Sequence, residues 1–158
     1  MRLLLKNLLF LLIVPGAVGV YVPLLISAHR PFVPGLMVVV GWVLLILGFS
    51  CLAWCIWAFA RYGRGTPAPP LSPERLVVRG LYRYSRNPMY LGVLGMIAGW
   101  AVLFGDWRLV VYGAFVAAGF TAMIMLYEEP RLEKQFGAEY VRYKTRVWRW
   151  LPRLRKRG

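Results

Sequence analysis

Residues that could build a metal centre or a charge relay are scarce in this sequence. It has one histidine and two cysteines among 158 residues. A histidine-based metal centre or a Ser-His-Asp triad needs more than His29 alone. Cys51 and Cys55 offer two thiols, whereas a structural metal site usually has four ligands. We therefore expect no metal and neither of these catalytic centres.

Charge is missing from long stretches of the chain. Four runs contain no Asp, Glu, Lys or Arg, namely residues 8–28, 36–60, 89–105 and 109–127. A helix of about 20 apolar residues crosses a bilayer, and its backbone satisfies its own hydrogen bonds there. The sequence thus predicts a single-domain, all-α, multi-pass integral membrane protein with four transmembrane helices and a C-terminal interfacial helix. A soluble globular domain and a disordered chain are excluded.

Positive charge is plentiful, but it lies between and beyond the apolar runs. All but Arg30 and Arg108 of the 20 Lys and Arg residues fall before the first run, in the connection 61–88 or in the tail 128–158. The positive-inside rule places these segments, and both termini, on the cytoplasmic side. The basic tail also suits anionic lipids, so the net charge of +14 does not require a nucleic-acid partner.

The third and fourth runs are joined by a short turn, residues 105–108, and so predict an antiparallel helical hairpin. The start of the third helix and the end of the fourth should then lie at one cytoplasmic surface. Polar and aromatic residues cluster at both of these ends, in residues 80–92 and 126–146. We expect the functional site at this mouth of the hairpin.

Asn87-Pro88 opens the third run and has a purely structural reading. Asn is a favoured helix N-cap and Pro a favoured first helical residue. The free N–H groups of a helix N-terminus also attract anions, and Arg86 beside them adds charge. The pattern therefore predicts a site for a carboxylate or a phosphate.

Glu128-Glu129 follows the fourth run directly. Two carboxylates at the C-terminal end of a helix would oppose its dipole, and ionisable residues at the membrane boundary are often functional. Ion pairing with Arg131 and the basic tail is the alternative. We expect this pair to act in the site.

Glycines recur along the third run, at Gly92, Gly95 and Gly99. The spacing Gly95-x-x-x-Gly99 permits close helix packing, which we expect against the fourth run. Gly92 lies nearer the mouth, where it could make room for a ligand.

An anion site, two carboxylates and several tyrosines together suit a ligand with a carboxylate, an amino group, ribose hydroxyls and a soft cation. S-adenosylmethionine has all four. Glutamates can accept from its amino group or ribose, Arg86 can hold its carboxylate, and tyrosines can face its sulfonium through cation–π contact.

The same residues resemble the membrane-embedded methyltransferases that include isoprenylcysteine carboxyl methyltransferase and phospholipid N-methyltransferase. The resemblance covers about the C-terminal half of the chain. Its pattern comprises Gly80, Tyr82, Arg86, Asn87, Pro88, Tyr90 and Gly92, then Glu128, Glu129, Leu132, Phe136, Gly137, Tyr140, Tyr143, Arg146 and Val147. It implies an all-helical membrane enzyme that uses S-adenosylmethionine without a metal, at the cytoplasmic mouth of its last helices, on a lipidic acceptor.

The resemblance also assigns roles. Cofactor binding is expected of Tyr82, Arg86, Asn87, Pro88, Tyr90, Leu91, Gly92, Glu128, Glu129, Tyr140 and Tyr143. Catalytic roles are expected of Glu128, Glu129 and Arg146. One glutamate would hold the cofactor and the other would face the acceptor. A carboxylate acceptor would need only an orienting cation, such as Arg146 or Arg83.

The sequence leaves two methyl acceptors open, a phospholipid amine and a prenylcysteine carboxylate. Prenylcysteine enzymes usually carry His at the position of Asn87 and a charged residue ahead of the glutamates, where this chain has the uncharged segment 121–127. Those features favour phospholipid N-methylation, whereas the tail 136–152 is more like the prenylcysteine branch. The rival functions are a membrane reductase with a related helical framework and a non-catalytic membrane scaffold. The sequence predicts no oligomeric state.

Overall fold

The computed structural model describes residues 15–28, 30–63 and 75–150. Every regular element in these residues is helical. The α-helices are α1 (Val22–Ile26), α2 (Leu36–Ala58), α3 (Pro88–Phe104), α4 (Trp107–Met123), α5 (Glu129–Phe136) and α6 (Ala138–Arg146). Three π-helical turns, Ala17–Tyr21, Phe59–Gly63 and Ile124–Glu128, and one 3₁₀ turn, Gly80–Arg83, complete them.

Two helices are long and apolar enough to cross a membrane, Leu36–Tyr62 and Trp107–Phe136. By length and composition they correspond to the second and fourth predicted spans. Two further apolar helices, Ala17–Ile26 and Pro88–Phe104, are shorter. The 17 residues of α3 rise by about 25 Å, against about 30 Å for the hydrocarbon core. The first and third spans therefore stay predictions, and the first part of the run 8–28 lies outside the described residues, as does His29.

Helix α3 packs most closely on α2, not on α4 as the glycine spacing suggested. A Cβ added to Gly92 would lie 2.9 Å from the carbonyl oxygen of Gly48, and one added to Gly99 would lie 2.9 Å from that of Gly41. Gly95 also faces Gly48, at 3.7 Å from its Cα. The prediction was wrong because α2 carries its own glycines at the matching height, which lets the two backbones touch.

The turn between α3 and α4 is as short as predicted. Gly105 ends α3 in the left-handed conformation, at φ 58°. Asp106 then caps α4 by accepting from the Arg108 backbone N–H at 3.0 Å. The buried Asp106 carboxylate also accepts from the Arg108 guanidinium at 2.7 Å and pairs with Arg30 at 3.4 Å. Hydrogen bonds from Arg108 hold the pKa of Asp106 at about 2, against the opposing effect of burial.

The fourth helix does not end at residue 127. It continues through the π-turn Ile124–Glu128 into α5 and stops at Phe136. Glu128 and Glu129 therefore lie inside a helix, and the prediction that they oppose a helix C-terminus was wrong. Pro130 lacks a donor N–H, and it follows the π-turn directly, where the regular α-helical hydrogen-bond pattern is already interrupted.

The tail folds back on the loop before α3. Tyr140, Tyr143 and Val147 form a buried cluster, against which Leu76, Leu132 and Phe136 pack. The Tyr143 hydroxyl donates to the Tyr82 carbonyl at 2.7 Å. The C-terminal helix is thus confirmed as α6, while its place at the membrane interface stays a prediction.

Candidate active site

The two clusters found in the sequence meet at one residue, Arg149. Its carbonyl accepts from the Ser85 hydroxyl at 3.0 Å and from the Asn87 side-chain amide at 3.1 Å. Its guanidinium donates to both oxygens of Glu129, from Nε at 3.1 Å and from Nη2 at 3.0 Å. The start of α3 and the start of α5 therefore lie side by side at one end of the helix bundle.

Glu129 is the centre of this cluster. Its side chain is buried and faces three cations: Arg149, Arg86 at 3.1 Å and Lys144 at 3.9 Å. A buried carboxylate is stable only with such partners. Three cations exceed the charge of one carboxylate, although Lys144 is shared with Glu133. The cluster therefore carries a surplus of positive charge.

Arg86 carries part of this excess positive charge, and its guanidinium could bind an anionic ligand. Its side chain is only 10% exposed. Within the described residues, its buried Nε and Nη1 atoms make no hydrogen bond of good geometry: Nη1 touches Glu129 as an ion pair, and the neighbouring Tyr140 hydroxyl lies close enough for Arg86 to oppose the rise in its pKa. Buried donors that lack an acceptor cost about 1–3 kcal/mol each. An anionic ligand would remove that cost, and a carboxylate matches the planar guanidinium best.

Asn87 and Pro88 begin α3 as predicted, with Asn87 at the N-cap position and Pro88 as the first helical residue. The Asn87 side chain makes no capping hydrogen bond, and its amide nitrogen donates to the Arg149 carbonyl. Its backbone N–H donates to the Ser85 hydroxyl at 3.1 Å. The dipeptide thus ties the helix start to the tail.

Glu128 lies in different surroundings from its neighbour. The Tyr90 hydroxyl donates a short hydrogen bond to Glu128 Oε1. The Tyr90 ring also packs on Phe120, at 4.5 Å between centroids, and its hydroxyl lies 3.9 Å from the Met123 sulfur. Glu128 is half-buried there, beside an apolar surface. The Glu128 carboxylate could therefore contact the polar group of an amphiphilic ligand.

The π-turn explains why both glutamates face inward. Glu129 follows the buried Ile124 by five residues, the separation that a π-turn hydrogen bond spans, and the extra residue of the turn brings these two buried side chains closer to one face. In a regular α-helix five residues would turn Glu129 by about 140° from Ile124, toward the outside of the bundle. The orientation of Glu129 toward its cationic partners therefore depends on this π-turn.

The tyrosines take different positions. Tyr140 lies beside the cluster, with Lys144 Nζ 5.9 Å from its ring centre. Burial, followed by the charge of Glu129, raises the pKa of Tyr140 to about 12, and burial also raises the pKa of Tyr143 and of Tyr82. These phenols are therefore neutral donors. The Tyr82 ring packs on Phe59 at 5.5 Å, in a separate buried cluster with Cys55 and Val77.

Besides Tyr82, three expected site residues lie apart from the Glu129 cluster. Gly92 faces the backbone of α2, so its lack of a side chain serves helix packing. Leu91 and Arg146 are exposed. The basic side chains that reach Glu129 are Arg86, Arg149 and Lys144, of which the sequence pointed only to Arg86. Arg149 and Lys144 were missed because nothing in their spacing separates them from the other basic residues of the tail.

Comparison with protein-family models gives a match over more than half of the chain. A family model described as phospholipid methyltransferase matches residues 36–139. Among curated proteins, none matches the chain. The matched region contains α2 to α5 and both glutamates, and it ends before Tyr140 and Arg149.

Proposed function

The chain belongs to the phospholipid methyltransferase family, and from this we propose that it methylates the amine of a lipid headgroup with S-adenosylmethionine as the donor. Family membership supports a methyltransferase that acts on a lipid. The observation that carries the rest is Arg86, a buried guanidinium whose Nε and Nη1 make no hydrogen bond of good geometry among the described residues. It supports an anionic ligand group at the mouth of the helix bundle.

The donor set fits S-adenosylmethionine. Arg86 would hold the carboxylate of its methionine part, and Tyr140 would present an aromatic face nearby. Glu129 would keep Arg86 in place and balance part of the local charge. When bound, the donor supplies a methyl group on a sulfonium sulfur that a nucleophile takes up in one displacement. No metal is needed for this reaction, and the described residues hold no group of metal ligands.

Glu128 is the residue that faces the acceptor in this proposal. An ammonium must lose a proton before its nitrogen can attack, and a carboxylate within hydrogen-bond reach can take that proton. Tyr90 fixes one oxygen of Glu128 and so orients the other. The apolar side chains beside it, Phe120 and Met123, would face the acyl part of a lipid and shield the reacting groups from water.

We place this end of the bundle at the cytoplasmic face. Of the described basic residues, only Arg30 and Arg108 lie at the opposite end, around Asp106. The others lie near the Glu129 cluster or in the segments that adjoin it, as the positive-inside rule requires. The acceptor would enter from the bilayer beside the π-turn, where Leu126 and Tyr127 are exposed.

A prenylcysteine carboxylate is the second candidate acceptor. It needs no base, but it needs a cation to orient it, and Arg146 is an exposed arginine on α6 close to the site in sequence. Placing Arg146 in this role would leave Glu128 without a function. The amine acceptor uses Glu128 and is therefore preferred.

The experiment is transfer of labelled methyl groups from S-adenosylmethionine by purified protein in lipid nanodiscs. The discs contain either phosphatidylethanolamine or phosphatidylcholine, and a prenylcysteine analogue is offered separately. The proposal predicts labelling of phosphatidylethanolamine alone, with a label that stays on the headgroup amine after treatment with base. A base-labile label on the prenylcysteine analogue would show a carboxyl methyltransferase instead. Binding of NADPH without binding of S-adenosylmethionine would favour the reductase, and binding of neither would favour the scaffold.

A further inference from the structure

The segment after α6 is hydrogen-bonded to the loop before α3, beside the Glu129 cluster. We call residues 147–150 the tail strap. Its backbone accepts three hydrogen bonds from the loop before α3: the Arg86 N–H donates to the Trp148 carbonyl at 3.0 Å, and Ser85 and Asn87 donate to the Arg149 carbonyl. The Val147 side chain is buried beside Tyr140 and Tyr143. The strap is thus part of the folded site, although it lies outside the region that the family model matches.

We propose that Arg149 is a positioning residue for methyl-donor binding, which rests on the function proposed above. Its guanidinium occupies both oxygens of Glu129, and Glu129 in turn fixes Arg86. The proposal concerns the side chain of Arg149, because the carbonyl that holds Ser85 and Asn87 belongs to the backbone and stays in any variant.

The geometry explains why Arg149 matters to Arg86. Arg149 donates to both Glu129 oxygens, at 3.1 and 3.0 Å, whereas Arg86 touches one of them through Nη1 without hydrogen-bond geometry. Without Arg149, the Arg86 guanidinium would be free to turn and make the two-fold contact with Glu129 itself, since such pairs are the strongest available to it. Its Nε and Nη1 would then be used within the protein. Arg149 therefore keeps Arg86 available to the ligand.

The neighbouring cation cannot replace Arg149. Lys144 lies 3.9 Å from Glu129 Oε2 and is paired with Glu133. A lysine ammonium is also a point charge that does not match both oxygens of a carboxylate. The arrangement thus depends on the planar guanidinium of Arg149.

The test compares Arg149→Gln and Arg149→Lys with Arg142→Gln, an exposed arginine of α6 that contacts the Ala138 carbonyl. In nanodiscs, KM for S-adenosylmethionine should rise by roughly 10- to 100-fold in Arg149→Gln, as expected for lost charged hydrogen bonds. KM should rise less in Arg149→Lys, because lysine keeps the positive charge. In both Arg149 variants, kcat should change by a smaller factor than KM. Arg142→Gln should match the wild type. A KM in Arg149→Gln within twofold of the Arg142→Gln value would overturn the proposal.

A second pair of variants separates the strap from the residues that follow it. A chain that ends at Val147 loses Trp148 and Arg149, whereas one that ends at Trp150 keeps every contact described here. Donor affinity and protection of the Arg86 amide from hydrogen exchange should fall in the first and not in the second. Equal losses in both chains, or unchanged protection in both, would contradict the role of the strap. A wild type that neither binds nor uses S-adenosylmethionine would overturn the proposed function as well, whereas an active wild type with a normal Arg149→Gln variant would overturn this inference alone.

Discussion

Asn87 and Glu129 bind the same residue: the Asn87 amide donates to the Arg149 carbonyl at 3.1 Å, and the Glu129 carboxylate accepts from the Arg149 guanidinium at 3.1 and 3.0 Å. Two helix starts that are distant in the sequence are thereby joined at one end of the bundle. The site depends on this junction, because it brings the buried Arg86 and the pair Glu128-Glu129 together.

Replacing Glu128 with Gln should abolish most of the turnover while leaving donor binding intact. Glutamine keeps the shape and can still accept from Tyr90, but it cannot take a proton. General-base catalysis is worth about 10²- to 10⁴-fold, so kcat should fall within that range. Single-turnover rates and donor titration measure the two effects separately. Glu139→Gln, at an exposed position of α6, is the matched control and should behave as the wild type.

Replacing Glu129 with Gln should instead weaken both donor binding and folding. The change leaves the buried Arg86 and the partly buried Arg149 without a counter-charge. Breaking a buried ion pair by removing one partner costs about 3–5 kcal/mol, and the partial exposure of Arg149 places the expected loss near or below about 3 kcal/mol. Chemical unfolding in mixed micelles gives the free energy. A variant as stable as the wild type would show that the three cations do not depend on Glu129.

The contact between α2 and α3 should not tolerate a methyl group at Gly48. A Cβ there would lie 2.6 Å from the Gly92 carbonyl oxygen, which belongs to a rigid helix backbone. Gly48→Ala should therefore destabilise the fold by about 1–3 kcal/mol. Gly119 of α4 has no neighbouring atom within 4 Å of such a Cβ, so Gly119→Ala should be neutral or slightly stabilising. Thermal unfolding in detergent compares the two, and equal effects would rule out this close packing.

The stability of the α3–α4 turn should depend on pH through Asp106. Its pKa is about 2 in the folded protein, against 3.8 for an unperturbed carboxyl group. A lowered folded-state pKa adds stability above the unfolded value, and this stability is lost as the pH falls from about 4 to about 2. The wild type should lose thermal stability across that window, and Asp106→Asn should lose less because it has no carboxyl to protonate. Parallel curves for the two proteins would show that Asp106 does not contribute.

Much of the helical framework could be predicted because the apolar runs are long and uncharged. The start of α2 at Leu36 and the beginning of α3 at Pro88 agree with the sequence, as does the turn at Gly105 and Asp106. Local signals decide these features: a proline, a glycine at positive φ, and a capping side chain. They need no knowledge of the partner helix.

The features that complete the site depend on partners that a single sequence does not reveal. The π-turn Ile124–Glu128 changes which face the glutamates occupy, and Pro130 after it disfavours a regular α-helix here without indicating a π-turn rather than a helix end. The glycines of α3 could have packed on either neighbour, and Gly41 and Gly48 on α2 decided between them. Arg149 is one of many basic residues in the tail, and only the fold distinguishes it. Tertiary contact, rather than local preference, assembles the site.

The most direct test of the account is calorimetric titration of S-adenosylmethionine into the protein in nanodiscs, comparing the wild type with Arg86→Gln. Arg83→Gln, an exposed arginine in the preceding 3₁₀ turn, provides the control, and thermal unfolding confirms that each variant is folded. The account predicts one binding site in the wild type and in Arg83→Gln, with affinity at least about tenfold weaker in Arg86→Gln, the loss expected for a charged hydrogen bond. Equal affinities for all three proteins, or no binding to the wild type, would contradict it.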